Sequence, residues 1–534
     1  MSQQPPPSPS SPSSSSSDGD DEHNDDSLKI IIDPEFLMQI NESANSSSKK
    51  RRTTQINEDR ISTLPTPILH HILSYLDTKF VVQTSILSKT WQSIWISIPF
   101  LNFTMFRNYK NKNNFMDFVN KVLLFRDSSK IEKFRFYCVE STAYDVLHRI
   151  GDWIQLAVRC NVEVMNLNIR PEVGRLELPN YLFTCKSLVK VKLFMLLREK
   201  VMNVRYCGLT VLYLPGVVNL PNLRKLVLYS LLIRETEFMN KIFTSCPVLE
   251  KLVMINCGLA EIEDMVISAA QLKILEIDGF GRYTIAGSEE ICKISIHAPN
   301  LISLVYKADI GNGYTLEHIS SLVTADIDLQ TSNRYAGKEL VSGDYIEQVS
   351  ESAINILQGV SNAKSLRLSA SLLEVLPEPT GLQPTPFLGL RQLKLTIWLS
   401  RNCIWGIKYL LENSGNLETL FLEITDEYRS RRLEYPYCNE IQVHPTKIWE
   451  YWGTDFKLCC NFDHLKFIEI DHIRGRVNEL EFLKVLLVRA RALETLIIFT
   501  MGGHAPGYRR QLKKFCEELL ASPRASSRVT IVVD

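Results

Sequence analysis

The sequence lacks a surplus of charge of either sign, because 60 lysine and arginine residues balance 60 aspartate and glutamate residues. A chain with a formal net charge of zero has no overall field that would draw it to nucleic acid or to an anionic membrane surface. We therefore expect neither nucleic acid nor a membrane among its partners.

A long uninterrupted apolar segment is also missing. The longest charge-free candidate, YCGLTVLYLPGVVNLPNL from Tyr206 to Leu223, contains two prolines, two glycines and two asparagines. This composition argues against a membrane-spanning helix. The first residues, MSQQPPPSPSSPSSSSSDGDDEHNDD, show neither the basic start nor the apolar core of a secretory signal. We expect the protein in the nucleus, the cytoplasm or both.

Motifs that would support catalysis or metal binding are not found. The twelve cysteines form no CxxC pair, and most lie in apolar segments, as expected of buried, reduced thiols. The sequence has no GxSxG or HExxH motif, and GNGY from Gly311 to Tyr314 lacks the rest of a nucleotide-binding loop. We predict no catalytic residue, no metal site, no cofactor and no enzymatic activity.

Residues 1–58 are predicted to be disordered, because their Pro/Ser tracts and acidic run cannot bury enough apolar surface to offset the entropy of ordering. A basic cluster from Lys49 to Arg52 ends this tail. It has two interpretations, a nuclear-import signal or a solvated run of charge before a domain.

The composition then changes abruptly, in DRISTLPTPILHHILSYLDTKFVVQTSILSKTWQSIW from Asp59 to Trp95. Apolar residues at helical spacing predict three short helices. Pro65 suits a first helical position, Asp77 or Thr78 can cap the second helix, and Ser88 can cap the third. So short a segment cannot bury all of its apolar side chains by itself, so another surface must cover some of them.

This segment resembles a plant-type F-box. The resemblance is carried by Asp-x-Ile-Ser-x-Leu-Pro, Ile-Leu-Ser-x-Leu and Thr-Ser-x-Leu-Ser-Lys-x-Trp, which follow one another in that order. Two positions depart from the family pattern: Thr66 replaces an acidic residue, and Thr90 replaces an arginine. We expect both at the rim of an interface, where they would weaken binding without removing its apolar centre.

The resemblance implies that this module binds the small Skp-type adaptor of a cullin ubiquitin ligase, and that the chain is a monomer outside that complex. The implied adaptor contacts are Leu64, Pro65, Ile68, Ile72, Leu73, Leu76, Leu87 and Trp91. A surplus apolar patch on a small module is in general an interaction site. The alternative is that the helices pack on the domain behind them, with Trp95 as the first candidate for that contact.

Beyond about Phe106 a leucine-rich pattern recurs, as in CKSLVKVKL, LPNLRKLVL and CPVLEKLVM. Copies begin at Ile131, Val164, Cys185, Leu220, Cys246, Leu272, Leu301, Leu322, Ala363, Leu390, Leu417, Leu465 and Leu493. In the second copy we predict Val164, Leu167 and Ile169 to be buried. Such units are leucine-rich repeats, which bury their apolar faces only by stacking.

We therefore predict an α/β fold, a leucine-rich-repeat solenoid with parallel strands on its concave face and helices or irregular segments on its convex face. A small all-α F-box module and the disordered tail precede it. The predicted boundaries are 1–58 for the tail, 59–105 for the F-box, 106–455 for the repeats and 456–534 for a C-terminal region.

Side chains that alternate with the buried leucines face away from the core, and we predict that they contact a target protein. The candidates are Arg135, Tyr137, Lys192, Phe194, Tyr229, Glu276, Asp278, Asp326 and Asp328. The surface changes from basic and aromatic through apolar to acidic. For Lys190, Lys225 and Lys251 the alternative is that they are ordinary consensus residues, because lysine is common at that position in this repeat type.

Residues 456–534 resemble the FBD region that ends many plant F-box/leucine-rich-repeat proteins. ELEFLKVLLVRARALETLII predicts an amphipathic helix leading into a strand, and ELLASPRASSRVTIVV predicts a helix, a break and a closing strand. Our hypothesis is a cap that shields the open edge of the last repeat, so that deleting the region would cause aggregation.

These resemblances imply a substrate-recognition subunit of an SCF-type cullin ubiquitin ligase, which holds a target for ubiquitination and proteasomal degradation. One alternative is an F-box receptor for a small molecule or hormone, with a pocket under the long insertions before Ala363 and Leu465. Another is a leucine-rich-repeat binding scaffold outside ubiquitin chemistry, which gains weight if Thr66 and Thr90 abolish adaptor binding.

Overall fold

A computed structural model describes most of the chain. The described residues are 61–105, 112–142, 144–171, 175–176, 178–195, 210–259, 262–280, 292–309, 313–317, 319–330, 343–376, 385–398, 401–425, 458, 460–502 and 506–534. The predicted tail, with the basic cluster from Lys49 to Arg52, lies outside them.

Three short helices open the described chain: α1 Thr66–Leu73, α2 Thr78–Gln83 and α3 Lys89–Ile94, with 3-10 turns at Thr84–Ile86 and Trp95–Ser97. Two predicted caps are confirmed. Asp77 Oδ1 accepts a hydrogen bond from the N–H of Lys79 at 3.0 Å, and Ser88 Oγ accepts one from the N–H of Trp91 at 3.4 Å. Pro65 lies one residue before α1, at the N-cap, where its missing N–H leaves no donor unsatisfied.

The remaining helices are α4 Lys112–Phe125, α5 Tyr144–Arg159, α6 Phe238–Ser245, α7 Gly343–Gly359, α8 Ala370–Glu374, α9 Arg401–Glu412, α10 Val477–Arg489 and α11 Pro506–Leu520, and a 3-10 turn spans Asn180–Thr184. None of the helices in the described ranges combines the length and the apolar character needed to cross a membrane.

The strands are β1 Phe100–Met105, β2 Lys133–Thr142, β3 Val164–Pro171, β4 Arg175–Leu176, β5 Lys190–Met195, β6 Thr210–Leu212, β7 Lys225–Tyr229, β8 Leu231–Ile233, β9 Lys251–Ile255, β10 Gly258–Leu259, β11 Asp264–Ser268, β12 Ile274–Phe280, β13 Lys293–His297, β14 Ser303–Asp309, β15 Gly313–Glu317, β16 Thr324–Gln330, β17 Ser365–Leu368, β18 Gln392–Ile397, β19 Thr419–Ile424, β20 Phe467–Ile473, β21 Thr495–Thr500 and β22 Thr530–Val533.

One parallel sheet of 15 strands runs through the molecule in the order β1-β2-β3-β5-β7-β9-β12-β14-β16-β17-β18-β19-β20-β21-β22. Each predicted repeat copy leads into one strand of this sheet, from β2 to β21, which confirms the leucine-rich-repeat fold. The sheet is open, and β1 and β22 extend it beyond the repeat pattern.

The repeat leucines lie on one face of the sheet and are buried, for example Leu193, Leu252, Leu393 and Leu496. Burying one such side chain contributes about 1.5–3 kcal/mol. The prediction for the second copy was wrong in one residue: Met165 is buried, and Val164 faces the other way. The alternation of a strand allows only residues 165, 167 and 169 on the leucine side.

Smaller parallel sheets, β10-β8-β6-β4 and β11-β13-β15, accompany the main sheet. Part of the insertion before Ala363 is α7, which packs against β15. A Cβ atom at Gly359 would lie 2.3 Å from Cβ of Leu316, so only glycine allows this close approach.

The C-terminal region contains the predicted helices and strands, as α10, β21, α11 and β22. In the first turn of α10, the buried carboxylate of Glu479 accepts hydrogen bonds from the N–H groups of Arg474 at 3.0 Å and Arg476 at 2.9 Å, and burial raises its pKa. The region continues the sheet, because β20 pairs with β19, and β22 pairs with β21, the strand of the last repeat copy. Its role as a cap stays a prediction. Its final strand β22 has no further partner strand among the described residues.

The nine cysteines that the structure describes are all free thiols. Burial raises the pKa of Cys246, Cys257 and Cys292 to about 12. These thiols are therefore protonated at neutral pH and are poor nucleophiles.

Candidate protein-interaction surfaces

The helical module between residues 61 and 87 exposes an unusual amount of apolar surface. Eight large apolar side chains in it are exposed: Ile61, Ile68, Ile72, Tyr75, Leu76, Phe80, Ile86 and Leu87. We call this set the F-box face. Ile68 and Ile72 are one helical turn apart on α1 and are 47% and 43% exposed, and Leu87 is 64% exposed.

Six of the eight predicted adaptor contacts are exposed or half-buried. Ile68, Ile72, Leu76 and Leu87 belong to the F-box face, Pro65 is exposed and Leu64 is half-buried. Of the two positions that depart from the family pattern, Thr66 is exposed, and the side chain of Thr90 lies outside the described part. Whether these residues bind an adaptor stays a prediction.

Leu73 and Trp91 require a correction, because they are only 2% and 6% exposed. Leu73 points into the module, and the indole N–H of Trp91 donates a hydrogen bond to Ser62 Oγ at 2.9 Å. In this structure neither side chain is available for direct contact with another protein. Both hold the helices together and so position the F-box face.

The start of α2 is joined to the edge of the 15-stranded sheet. Thr78 Oγ1 accepts a hydrogen bond from the N–H of Asn102 at 2.7 Å, and Asp77 Oδ2 accepts one from the N–H of Thr104 at 3.1 Å. Both donors belong to β1, the strand at the end of the sheet. The first turn of α2 thus satisfies N–H groups that an open sheet edge would leave exposed. The sequence contained no clear signal for β1 or for this junction.

On the face of the main sheet opposite the leucines, side chains form rows that cross the strands. We call it the outer face. The register aligns Arg135, Lys192, Glu276 and Asp326 in one row. It aligns Tyr137, Phe194, Tyr229, Asp278 and Asp328 in the next row. The structure therefore places all nine predicted target contacts on one face, although their binding of a target stays a prediction.

Three of the four predicted acidic target contacts on the outer face are paired with cations of the chain itself. Glu276 lies 3.9 Å from Nζ of Lys251, Asp278 lies 3.7 Å from Nζ of Lys307, and Asp326 lies 3.7 Å from Nη1 of Arg367. Such partly exposed pairs contribute little stability, but they remove most of the charge that these carboxylates would offer a partner.

The basic part of the outer face differs, because its cations lie near one another. We call Lys133, Arg135, Lys190, Lys192 and Lys225 the basic patch. None of these five residues forms an ion pair with a described carboxylate. Burial and then the neighbouring positive charges, that of Lys225 foremost, lower the pKa of Lys190. Burial and the charge of Arg135 lower the pKa of Lys133.

Aromatic rings support one lysine of this patch. Nζ of Lys192 lies 4.9 Å from the ring centroid of Tyr229 and 5.9 Å from that of Phe194. The two ring centroids are 4.9 Å apart. Attraction between the ammonium group and the ring faces restricts the position of the lysine head group.

A groove in the described structure bears on the small-molecule alternative. It is open and lined by residues of β15 and of α7, among them Thr315, Glu317, Asn355 and Gln358. These residues belong to the smaller sheet and to the helix packed on it, and not to the outer face. The groove is therefore not on the outer face, but α7 is part of the insertion before Ala363, and the small-molecule alternative stays a prediction. Most of the insertion before Leu465 lies outside the described residues.

Three family models match the sequence. Residues 61–103 match the F-box domain, residues 126–451 match the At1g61320/AtMIF1 LRR domain, and residues 460–498 match FBD. The matched ranges differ in their limits from the boundaries that we predict, which remain predictions.

Curated proteins of Arabidopsis thaliana are similar over most of their length. The chain is 28% identical to F-box/LRR-repeat protein At3g59200 over 502 residues, which cover 89% of this chain and 88% of that protein. It is 25% identical to FBD-associated F-box protein At1g66310, over 91% of this chain and 98% of the relative. It is 27% identical to F-box/FBD/LRR-repeat protein At2g26030, over 69% and 80% respectively.

Proposed function

The chain belongs to the plant F-box/FBD/leucine-rich-repeat family, and from this premise we propose that it is a substrate-recognition subunit of an SCF-type cullin ubiquitin ligase. The F-box face would bind a Skp-type adaptor, and the outer face of the sheet would bind a target protein. The target would then be ubiquitinated and degraded by the proteasome.

One observation carries this proposal: the F-box face stays exposed in the folded chain. Had the sheet covered Ile68, Ile72 and Leu87, no partner could reach them, but the sheet joins the module from the side of α2. A cluster of large apolar side chains in water is costly, and covering them with a partner provides the driving force for binding.

In this proposal the chain forms no covalent bond and acts by bringing two proteins together. Holding a target near a ubiquitin-charged enzyme raises the effective concentration of its lysines. The junction between α2 and β1 matters here, because it ties the adaptor-binding module to the surface that would hold the target.

The adaptor contact can be tested with Leu87→Asp. Leu87 is exposed, so a charge there should leave the fold intact but would be buried without a partner in the complex, at a cost of several kcal/mol. We expect the variant to lose co-purification with a Skp-type adaptor expressed in the same cells, whereas the wild-type chain retains it.

The matched control is Leu388→Asp, which places the same charge on a leucine that is 74% exposed and lies outside the F-box. It should recover the adaptor as the wild type does. Equal recovery with both variants, each with a wild-type thermal midpoint, would show that the F-box face is not the adaptor contact.

We also propose that the protein works in the nucleus, the cytoplasm or both. The free cysteines support this location, because reducing compartments maintain thiols. Imaging of a fluorescent fusion of the full chain tests it, and a secreted fusion would contradict it.

A further inference from the structure

The basic patch, which lies on neighbouring strands of one end of the sheet, is the most unusual electrostatic feature of the outer face. The register places Lys133, Lys190 and Lys225 in one row, on β2, β5 and β7, and Arg135 and Lys192 in the row beside it. Strands in a sheet are about 4.8 Å apart. Like charges this close repel each other, which destabilises the folded chain when nothing neutralises them.

Three carboxylates of the outer face are neutralised by the chain itself. Glu276, Asp278 and Asp326 each lie within 3.7 to 3.9 Å of a lysine or arginine on an adjacent strand. The five cations of the basic patch have no such partner among the described residues. Their charge is therefore available to a ligand, whereas the charge of these three carboxylates is mostly neutralised by ion pairs within the sheet.

We infer that the basic patch binds a short, extended, carboxylate-rich segment of a target protein, an inference that rests on the proposed role of the outer face in target recognition. Partner carboxylates would relieve the repulsion among the lysines. The aromatic pair Phe194 and Tyr229 adds an apolar surface next to the charges, suited to one aromatic or aliphatic side chain of the same segment.

The dimensions of the patch fit a peptide. From β2 to β7 there are three steps between neighbouring strands in the order β2-β3-β5-β7, which amounts to about 14 Å. An extended peptide covers that distance with about four or five residues. Lys192 is already held over the rings of Tyr229 and Phe194, so less side-chain entropy is lost when an anion binds.

A long polyanion such as nucleic acid fits less well. A strand that continued along the sheet to β9 and beyond would meet Lys251, Lys307 and Arg367, whose charges are already paired with carboxylates of the chain and would attract it little. The whole chain also has a formal net charge of zero, so it lacks the broad positive field that supports binding to a phosphate backbone. The expected ligand is therefore short as well as acidic.

The test uses the full chain and fluorescence anisotropy at low ionic strength. The probe is a fluorescein-labelled peptide of sequence Glu-Asp-Glu-Phe-Glu-Asp, compared with its amide counterpart Gln-Asn-Gln-Phe-Gln-Asn and with oligothymidine of matched charge. We expect the acidic peptide to bind more tightly than both. Its affinity should fall as salt is added, because solvent-accessible charges are screened.

The variant is Lys190→Glu/Lys225→Glu, which reverses two charges at the centre of the patch. We expect it to weaken binding of the acidic peptide by at least about tenfold, which corresponds to about 1.4 kcal/mol. The matched control is Lys394→Glu, an exposed lysine in the same row as Lys192 but on the distant strand β18. It should change the affinity by less than about twofold, as expected for an exposed charge far from the ligand.

Three outcomes would overturn the inference: equal affinity for the acidic and the amide peptide, tighter binding of oligothymidine, or equal loss of affinity in both variants.

Adaptor co-purification separates this result from the proposed function. If the wild type binds the peptide but no adaptor, the ligase proposal fails and the patch stands. If it recovers the adaptor but does not distinguish the peptides, only the inference about the patch fails.

Discussion

At the scale of single residues, Asp77 links two parts of the molecule. One carboxylate oxygen caps α2 through the N–H of Lys79, and the other accepts a hydrogen bond from the N–H of Thr104 in β1. The same side chain therefore begins a helix of the F-box and satisfies part of the edge of the sheet. A motif search detects only the first of these roles, because capping depends on neighbours in the sequence.

Replacing Asp77 by alanine should lower the free energy of unfolding by about 2 kcal/mol, since both the cap and a partner of a backbone donor are lost. Asp77→Asn keeps one acceptor oxygen, but its NH₂ group cannot accept from Thr104, so a smaller loss is expected. Denaturant titration measures both values.

The control is Asp463→Ala, which removes an exposed ion pair with Arg491 at 3.6 Å and should lower the free energy of unfolding by less than about 1 kcal/mol. Equal effects of Asp77→Ala and Asp463→Ala would contradict the role of Asp77.

The protonation of Asp77 predicts a pH dependence. Burial raises the pKa of this carboxyl from 3.8, and this effect outweighs the two N–H groups that favour its ionised form. The folded state then holds the proton more tightly than the unfolded state. The free energy of unfolding should therefore fall as pH rises from below 3.8 through the raised pKa.

The comparison that isolates this contribution is the difference in free energy of unfolding between the wild type and Asp77→Asn, measured from pH 3 to pH 7. Glu479, whose pKa is also raised, is present in both proteins, so its effect cancels. The wild type should lose stability relative to the variant as the pH rises. A difference that is constant or that grows in favour of the wild type would refute the assignment.

At the scale of secondary-structure elements, the two edges of the sheet differ in what covers them. At β1 the first turn of α2 supplies hydrogen-bond acceptors to the edge, whereas β22 ends the sheet with half-exposed and exposed side chains. The elements before β22 are firmly held. Phe515 and Leu519 of α11 are buried, and Gln511 Nε2 donates a hydrogen bond to the carbonyl of Gly475 at 3.0 Å.

Deleting residues 506–534 should cause aggregation, because it removes α11 and β22 and exposes the edge of β21 together with apolar surface of α10. Size-exclusion chromatography with light scattering measures the aggregated fraction. Val532→Lys is the matched control: this side chain is exposed on β22, so the variant should stay soluble and folded. A truncated chain that remains monomeric with an unchanged melting curve would show that these elements are dispensable.

At the scale of the whole molecule, the two proposed surfaces lie on parts that are joined by hydrogen bonds as well as by the chain. The F-box face lies on the helices before β1, and the basic patch begins on β2, the next strand of the sheet. A target bound at the patch would thus be held close to the adaptor end of the protein. Because the two surfaces share no residue, a substitution in one should leave binding at the other unchanged.

Much of this structure follows from local patterns in the sequence. The spacing of the leucines predicts each strand of the main sheet from β2 to β21, because one repeat unit cannot bury its apolar face without stacking on the next. Asp77 and Ser88 are recognisable as caps, because a cap bonds to an N–H only two or three residues away. Alternation along the strands is also sufficient to place Arg135, Tyr137 and the other predicted target contacts on one face.

Only the tertiary structure decided which apolar side chains of the F-box are covered and which charges of the outer face are neutralised. Leu73 and Trp91 have the same apolar character as Ile72 and Leu87, but the first two are buried and the other two are exposed. Glu276 is paired with Lys251 on the neighbouring strand, whereas Lys190 forms no ion pair with any carboxylate that the structure describes. Such outcomes depend on residues brought together from distant points of the chain, as when Ser62 accepts the indole N–H of Trp91, and a periodicity of a few residues contains no information about them.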